Sequence, residues 1–275
     1  MTDAERARVF DAMAERYDRL EPWYEHLYAL LHAIVRAELA TPDRRARALD
    51  AGCGSGFQTA ILEELGYETH GIDLSPCLLA LARNRAPRSR LAVGDLHSLP
   101  YASGSFETAT CCGSTLSFVE APDRAIAELG RVLRRGGRVL IECEHKWNLD
   151  LAWTLVSGLT GDSLRYGTSA RDLGAGLARP ISQGFAIAYP GYPPIRLFTR
   201  AELDAMLGAA GLRPLRAWGL HSITNVIPST VLHRETLPPR LRRLYRWLCA
   251  ADTVVSSSAP ARWMANSLVM LAVKD

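Results

Sequence analysis

Three glycines at alternate positions, Gly52, Gly54 and Gly56, follow the run Ala48-Leu49-Asp50-Ala51, and Asp73 closes a second apolar run 73 − 52 = 21 residues past the first glycine. Glycine is needed where a backbone passes a ligand with no Cβ in the way. A strand bending into a helix through such a loop is a general nucleotide signal. A carboxylate at the end of the next strand can accept hydrogen bonds from both hydroxyls of a ribose. Phe57 stands where the dinucleotide fingerprint GxGxxG has its last glycine. That departure disfavours a nicotinamide oxidoreductase, whose pyrophosphate nestles against the helix start. Gly94-Asp95-Leu96 and Cys112-Gly113 close two further apolar runs, and the Cys53 and Cys112 thiols read as packing groups.

Positioning these groups requires short strands alternating with helices, the mark of a parallel α/β sheet. The spacing predicts strands at about 47–51, 69–73, 90–93, 108–113 and 138–143, with helices at about 57–65, 76–85 and 123–134. Ahead of them two helices are expected. The first carries Val9, Phe10, Met13, Ala14 and Tyr17 on one stripe; the second carries Leu27, Leu30, Leu31, Ile34, Val35 and Leu39 and ends at Thr41-Pro42-Asp43. Residues 145–197 break the alternation with a helix over Leu149–Leu159 and a Gly- and Pro-rich run that includes Tyr189-Pro190-Gly191-Tyr192. A segment this long reads as a cover over a site. Thr199 then caps a helix over about 200–210, and strands follow near 213–219 and 267–273.

The segment Leu49-Asp50-Ala51-Gly52-Cys53-Gly54-Ser55-Gly56 resembles motif I of the class I S-adenosylmethionine-dependent methyltransferases. Gly71-Ile72-Asp73-Leu74-Ser75, Gly94-Asp95-Leu96, the linker Leu99-Pro100-Tyr101…Ser105-Phe106-Glu107 and the turn before Gly137 continue that pattern in register. Glu107 and Arg135 replace the family's usual aspartate and proline. The likeness is greatest to the ubiquinone/menaquinone C-methyltransferase-like subgroup (methyltransferase type 11), with an N-terminal echo in Phe10-Asp11 and Ala14 to Asp18.

The resemblance implies a doubly wound, mostly parallel, seven-stranded Rossmann-like α/β sheet binding S-adenosyl-L-methionine. Residues 1–46 would form a helical lid, 47–144 and 198–275 the core, and 145–197 the inserted cover. It also implies the cofactor contacts. Gly52, Gly54 and Gly56 would lie along the methionine half, Asp73 on the ribose and Leu74 on the adenine. Asp95 would receive the adenine amino group, the Leu96 backbone would meet the ring, and Cys112 would mark the strand end near the cofactor's amino group. Tyr17 is a candidate lid residue over the bound cofactor, or a core position on the first helix.

Methyl transfer displaces a neutral thioether from a sulfonium carbon, so the protein chiefly supplies alignment and a dry pocket. A general base helps only where the acceptor must lose a proton. Glu144 and His145, after the fifth strand, and His221, after the sixth, fall at the carboxyl ends where ligands bind in such sheets. His145 and His221 are the candidate catalytic bases.

Lysine plus arginine is 32 against 29 acidic residues, a formal charge of +3, which gives no case for a nucleic-acid partner. Cys112-Gly113-Ser114-Thr115 also lacks the Asn/Asp-Pro-Pro-aromatic motif of amino-directed DNA methyltransferases. The intact glycine loop with Asp73 and Asp95 argues against a silent scaffold protein. None of the six cysteines is spaced for zinc, and no metal is expected. Free thiols, and no apolar leader or spanning segment, point to the cytoplasm. Residues 237–250 form a basic amphipathic helix, with Leu241, Leu244, Tyr245, Leu248 and Cys249 on one face and four arginines elsewhere. It can cover the sheet or make a peripheral contact with an anionic membrane. The aromatic cover points to a small, hydrophobic acceptor.

Overall fold

The computed structural model describes residues 2–17, 22–40, 46–187, 193–234 and 236–275, the side chains of Asp3, Glu15, Arg16, Tyr17 and Ala261 excepted. The Tyr17 side chain, the Thr41-Pro42-Asp43 stop and Tyr189-Pro190-Gly191-Tyr192 therefore lie outside the described residues.

Two helices, α1 (Asp3–Tyr17) and α2 (Pro22–Glu38), precede the sheet. Then come β1 (Arg47–Ala51), α3 (Phe57–Glu64), β2 (Glu68–Asp73), α4 (Pro76–Arg85), β3 (Arg90–Val93) and β4 (Phe106–Cys111). A single turn, α5 (Thr115–Phe118), and α6 (Pro122–Val132) lead into β5 (Leu133–Glu144). The segment expected as a cover holds α7 (Leu149–Leu159), α8 (Ala170–Leu177) and the antiparallel pair β6 (Phe185–Ile187) and β7 (Ile195–Leu197). Next is α9 (Arg200–Ala209), whose Thr199 side chain and Glu202 form a reciprocal capping box. After β8 (Leu212–Leu220) come a 3-10 turn (Thr224–Val226), α10 (Ser229–Leu232), α11 (Pro239–Val255) and α12 (Ala259–Met264), and β9 (Ser267–Lys274) closes the sheet.

Seven strands pair in the order β3-β2-β1-β4-β5-β9-β8, parallel except for β9, which is antiparallel to both neighbours. The central strands are apolar on both faces because helices cover both, as parallel sheets require. One face packs Leu49, Ala109, Val139 and Ile141 under α6 and α9. The other packs Ala48, Leu140, Val269 and Leu271 under α2 and α3. The chain winds outward from β1 towards β3 on one side and from β4 towards β5 on the other. The β1–β4 boundary is thus the switch point, where the two sets of connections part and leave a crevice.

Strand four ends two residues earlier than the sequence spacing predicts. Gly113 and Ser114 take positive φ angles of 73° and 58°, which ends extended pairing and turns the chain over the carboxyl edge. Glu107 accepts the Arg47 N–H at the start of β1 and pairs with Arg134 at 3.3 Å. The longer acid replacing the family's aspartate therefore clasps two strands. Leu244 is 48% exposed, so the buried side of α11 is Leu241, Tyr245, Leu248 and Cys249 without it.

Candidate active site

A crevice of about 640 Å³, counted out to its open mouth, lies at the switch point. Its floor is the loop after β1. Gly52 and Cys53 donate their N–H groups to the Ile72 carbonyl at 2.8 and 3.0 Å, folding the loop back on β2. Gly52 has φ 73°, and a Cβ there would lie 2.2 Å from Thr115 Cγ2; only glycine fits.

Asp73 ends β2 beside this loop. One carboxylate oxygen accepts the Gly54 N–H at 2.8 Å and the other the Ser75 N–H at 2.8 Å. Burial pushes its pKa upward, and these backbone donors oppose that shift. Further along the crevice, His97 donates Nδ1–H to Asp95 at 2.8 Å, while its Nε2 lies 3.2 Å from the Ala121 N–H and accepts from it. These two contacts fix the tautomer. His97 lines the crevice and is absent from the expected site. Its one legible signal is its position two residues after Asp95.

Helix α1 covers the crevice from outside. Arg6 and Phe10 line it, and Phe10 meets Phe118 edge-on with ring centroids 5.4 Å apart. Asp11 holds the helix in place by accepting from the Ser75 hydroxyl and the Cys77 N–H at the start of α4. Leu74, Leu96, Phe10 and Phe118 supply apolar wall, Asp73 and Asp95 supply acceptors, and the glycine bend leaves room for an amino-acid tail. This set of groups fits S-adenosylmethionine.

Of the residues expected to bind that cofactor, Gly52, Gly54, Asp73, Leu74, Asp95 and Leu96 line the crevice. Gly56 does not. It has φ 88°, and a Cβ on it would lie 2.9 Å from the backbone of Ala82, so its role is the close approach of α3 to α4. Cys112 is also outside; its thiol is buried against the Leu140 carbonyl and its own carbonyl accepts from Thr115. Phe57, in the place of the fingerprint glycine, lies between Tyr28, with ring centroids 5.3 Å apart, and the Arg85 guanidinium, 3.8 Å from its ring centre. It is a wedge joining α2, α3 and α4.

Neither candidate histidine reaches the crevice. His145 is 3% exposed, its Nδ1 lies 3.2 Å from the Ala265 carbonyl, and burial lowers its pKa. His221 is fully buried and stacked on Trp23, with ring centroids 3.6 Å apart. Its two nitrogens engage Thr224 Oγ1 and the Trp23 carbonyl, and burial drives its pKa well down. A base must reach the proton it removes, so a catalytic role for His145 and His221 is not carried forward. His221, His26 and Asp252 bring potential ligand atoms within 4.8 Å of one another. Asp252, however, already accepts from His26 and from the Ser222 and Ile223 N–H groups, and the trio reads as a buried polar clamp.

A family model described as "Methyltransferase domain" matches residues 49–141. A malonyl-[acyl-carrier protein] O-methyltransferase of Halorhodospira halophila is 33% identical over 230 residues, covering 78% of this chain and 74% of that protein. A demethylmenaquinone methyltransferase of Thermus thermophilus is 32% identical over 139 residues, 48% of this chain and 63% of that protein. Among solved structures, an S-adenosylmethionine-dependent methyltransferase of Thermotoga maritima, a possible histamine N-methyltransferase, superposes with a TM-score of 0.60 at 17% identity. That superposition covers 98% of this chain and all of the other. With a glycine bend and two acidic strand ends facing one crevice, and with relatives of this kind along most of its length, the chain belongs to the S-adenosylmethionine-dependent methyltransferases of the class I fold.

Proposed function

We propose that the enzyme methylates a small, largely apolar molecule that enters beneath residues 145–197, with S-adenosylmethionine held in the switch-point crevice. Bound there, the cofactor supplies an electrophilic methyl group on sulfur. The chain's own residues bind and orient it. Gly52 and Gly54 admit the methionine half, Asp73 accepts from the ribose hydroxyls and Asp95, aligned by His97, accepts from the adenine amino group. Leu74 and the Leu96 backbone meet the ring, while Phe10 and Arg6 on α1 shut out water. The carrying observation is the convergence of Gly52, Gly54, Asp73 and Asp95 on one cavity.

The acceptor class draws support from the demethylmenaquinone in one relative's name. A screen of cell extracts with labelled methyl donor tests it. Label should pass into an organic-soluble small molecule, and label found only in protein or nucleic acid would defeat the proposal.

We further infer a cytoplasmic enzyme that touches anionic membrane through α11. Arg240, Arg242, Arg243 and Arg246 are exposed on this helix beside Leu244, Trp247 and Val254, which are 48%, 67% and 80% exposed. Basic and apolar side chains on one outward surface suit an anionic bilayer interface. Among the described residues no helix is long and apolar enough to cross a membrane. Sedimentation with anionic vesicles should carry the protein down, and replacing Arg242 and Arg243 by glutamate should release it. Equal sedimentation with zwitterionic vesicles would discard the contact.

A further inference from the structure

Helix α1 is fastened to both banks of the crevice by side chains from successive turns. On the β2 bank, Asp11 accepts from the Ser75 hydroxyl and from the Cys77 N–H. On the β4 bank, the Arg6 guanidinium donates to Glu120 at 3.0 Å. Glu120 stands in the short link between α5 and α6. Between the two ties, Phe10 reaches across to Phe118. Among the described side chains of α1, Arg6 alone is buried. The helix therefore rests on a few named contacts rather than on a broad apolar face.

The link that Arg6 grips also holds His97. The Ala121 N–H, one residue past Glu120, donates to His97 Nε2 at 3.2 Å, and Arg124 Nε donates to the His97 carbonyl at 2.9 Å. His97 then donates twice to a single oxygen of Asp95. Its ring Nδ1–H reaches Asp95 Oδ1 at 2.8 Å and its backbone N–H reaches the same atom at 2.9 Å. Two donors on one oxygen fix the rotation of the carboxylate. Direct contacts thus run from Arg6 through Glu120, Ala121 and His97 to Asp95. Arg6, His97 and Asp95 all line the crevice, so the path begins and ends on the same cavity.

We propose that Arg6 is a positioning residue that ties the docking of α1 to recognition of the adenine amino group. This rests on the adenine role given to Asp95 above. With α1 docked, Arg6 holds Glu120 and the link keeps the Ala121 N–H aimed at His97. The His97 ring N–H then pins Asp95 Oδ1 and turns Oδ2 to the base. Coupling of this kind is reciprocal. A base that donates to Asp95 steadies the same contacts and so favours the docked helix. A base with a carbonyl at that position sets an oxygen against the carboxylate and gains nothing from the alignment. The Glu120 side chain is 66% exposed, which bounds the effect. An ion pair open to water at one end contributes at most about fivefold in an equilibrium constant. A tie of that strength also releases readily, leaving the helix free to lift as cofactor exchanges.

Calorimetric affinities for S-adenosylhomocysteine and for S-inosylhomocysteine, which carries a carbonyl in place of the amino group, test this. The unmodified enzyme should prefer the adenine form by about thirtyfold or more, as expected for a hydrogen bond to a charged group. Arg6→Ala should cut that preference about fivefold, weakening S-adenosylhomocysteine and leaving S-inosylhomocysteine within about twofold. Glu120→Ala should do the same, and the double variant no more, because both changes break one contact. Arg6→Lys keeps the charge and should restore part of the preference. Raising salt to about 0.5 M should lower the preference of the unmodified enzyme, and not that of Arg6→Ala, by screening the pair. Hydrogen exchange at α1 amides, which needs no variant to fold, should slow more with saturating S-adenosylhomocysteine than with saturating S-inosylhomocysteine. If Arg6→Ala weakened both ligands alike, or neither, the proposal would be overturned, since Arg6 would then at most fasten the helix. Equal protection of α1 by the two ligands would overturn it as well. Absence of any preference in the unmodified enzyme would instead remove Asp95 from the adenine, a failure of the underlying reading that takes the proposal with it.

Discussion

The Asp73 carboxylate accepts the Gly54 N–H at 2.8 Å, so the residue expected to grip the ribose also fastens the glycine loop. Floor and wall of the crevice are joined through one side chain, and the Ser75 N–H on its second oxygen extends the tie to α4. Ligand affinity and loop order are therefore coupled at this position.

Asp73→Ala should lower S-adenosylhomocysteine affinity by about a hundredfold or more, since each hydrogen bond to a charged group contributes about 1.5–3 kcal/mol. It should also loosen the loop. Asp73→Asn keeps one acceptor oxygen and the side-chain volume, so it should fall between the two. Calorimetric affinities measured with melting curves separate the contributions, and an unchanged affinity in Asp73→Ala would remove Asp73 from the site.

His97 aligns Asp95 through Nδ1–H and is itself held by the Ala121 N–H. His97→Ala should weaken S-adenosylhomocysteine binding by about tenfold, the cost of one oriented hydrogen bond. His97→Asn, whose side-chain amide can donate to Asp95, should recover part of the loss. Loss of affinity with no rescue by asparagine would mean that the ring packs without orienting its partner.

Gly52→Ala places a methyl group 2.2 Å from Thr115 Cγ2 at a φ of 73°. The variant should lose cofactor binding, and its melting temperature should fall by several degrees, as expected for a cost above about 1 kcal/mol. Adding Thr115→Ala removes the clash but leaves the backbone strain, so stability should return only in part. Gly56→Ala, pressed on Ala82, should destabilise through helix packing. Denaturant midpoints compare all three variants, and a wild-type midpoint for Gly52→Ala would exclude the close approach.

Asp50 is 1% exposed and accepts from Thr59 Oγ1 at 2.6 Å and Thr110 Oγ1 at 2.8 Å. Burial pushes its pKa from 3.8 up to about 6 against those bonds. Between these two values the native state holds more protons than the unfolded chain, so this carboxyl makes stability fall as pH rises through the window. The contribution is fully present below the lower value and lost above the upper one. Asp50→Asn removes this dependence. Its melting temperature relative to wild type should therefore improve by a few degrees from about pH 4 to about pH 7. A constant difference across that range would show that Asp50 titrates normally in the fold.

The sequence by itself determined the sheet, the glycine bend and the acidic strand ends. These depend on local geometry: apolar runs of strand length, a turn that excludes Cβ and a carboxylate at a fixed place on the next strand. The helices over Leu149–Leu159 and after Thr199 were legible for the same reason, through apolar periodicity and capping chemistry. The tertiary structure decided what depends on neighbours distant in the chain. It placed Gly56 against Ala82 and buried His221 on Trp23 and His145 under Ala265, although all three occupy positions where a site residue would be sought. It also brought His97 to Asp95 and Arg6 to Glu120. A residue's spacing reveals which strand end it occupies. Whether its side chain faces a ligand or the protein interior is fixed by packing between elements, which no local pattern encodes.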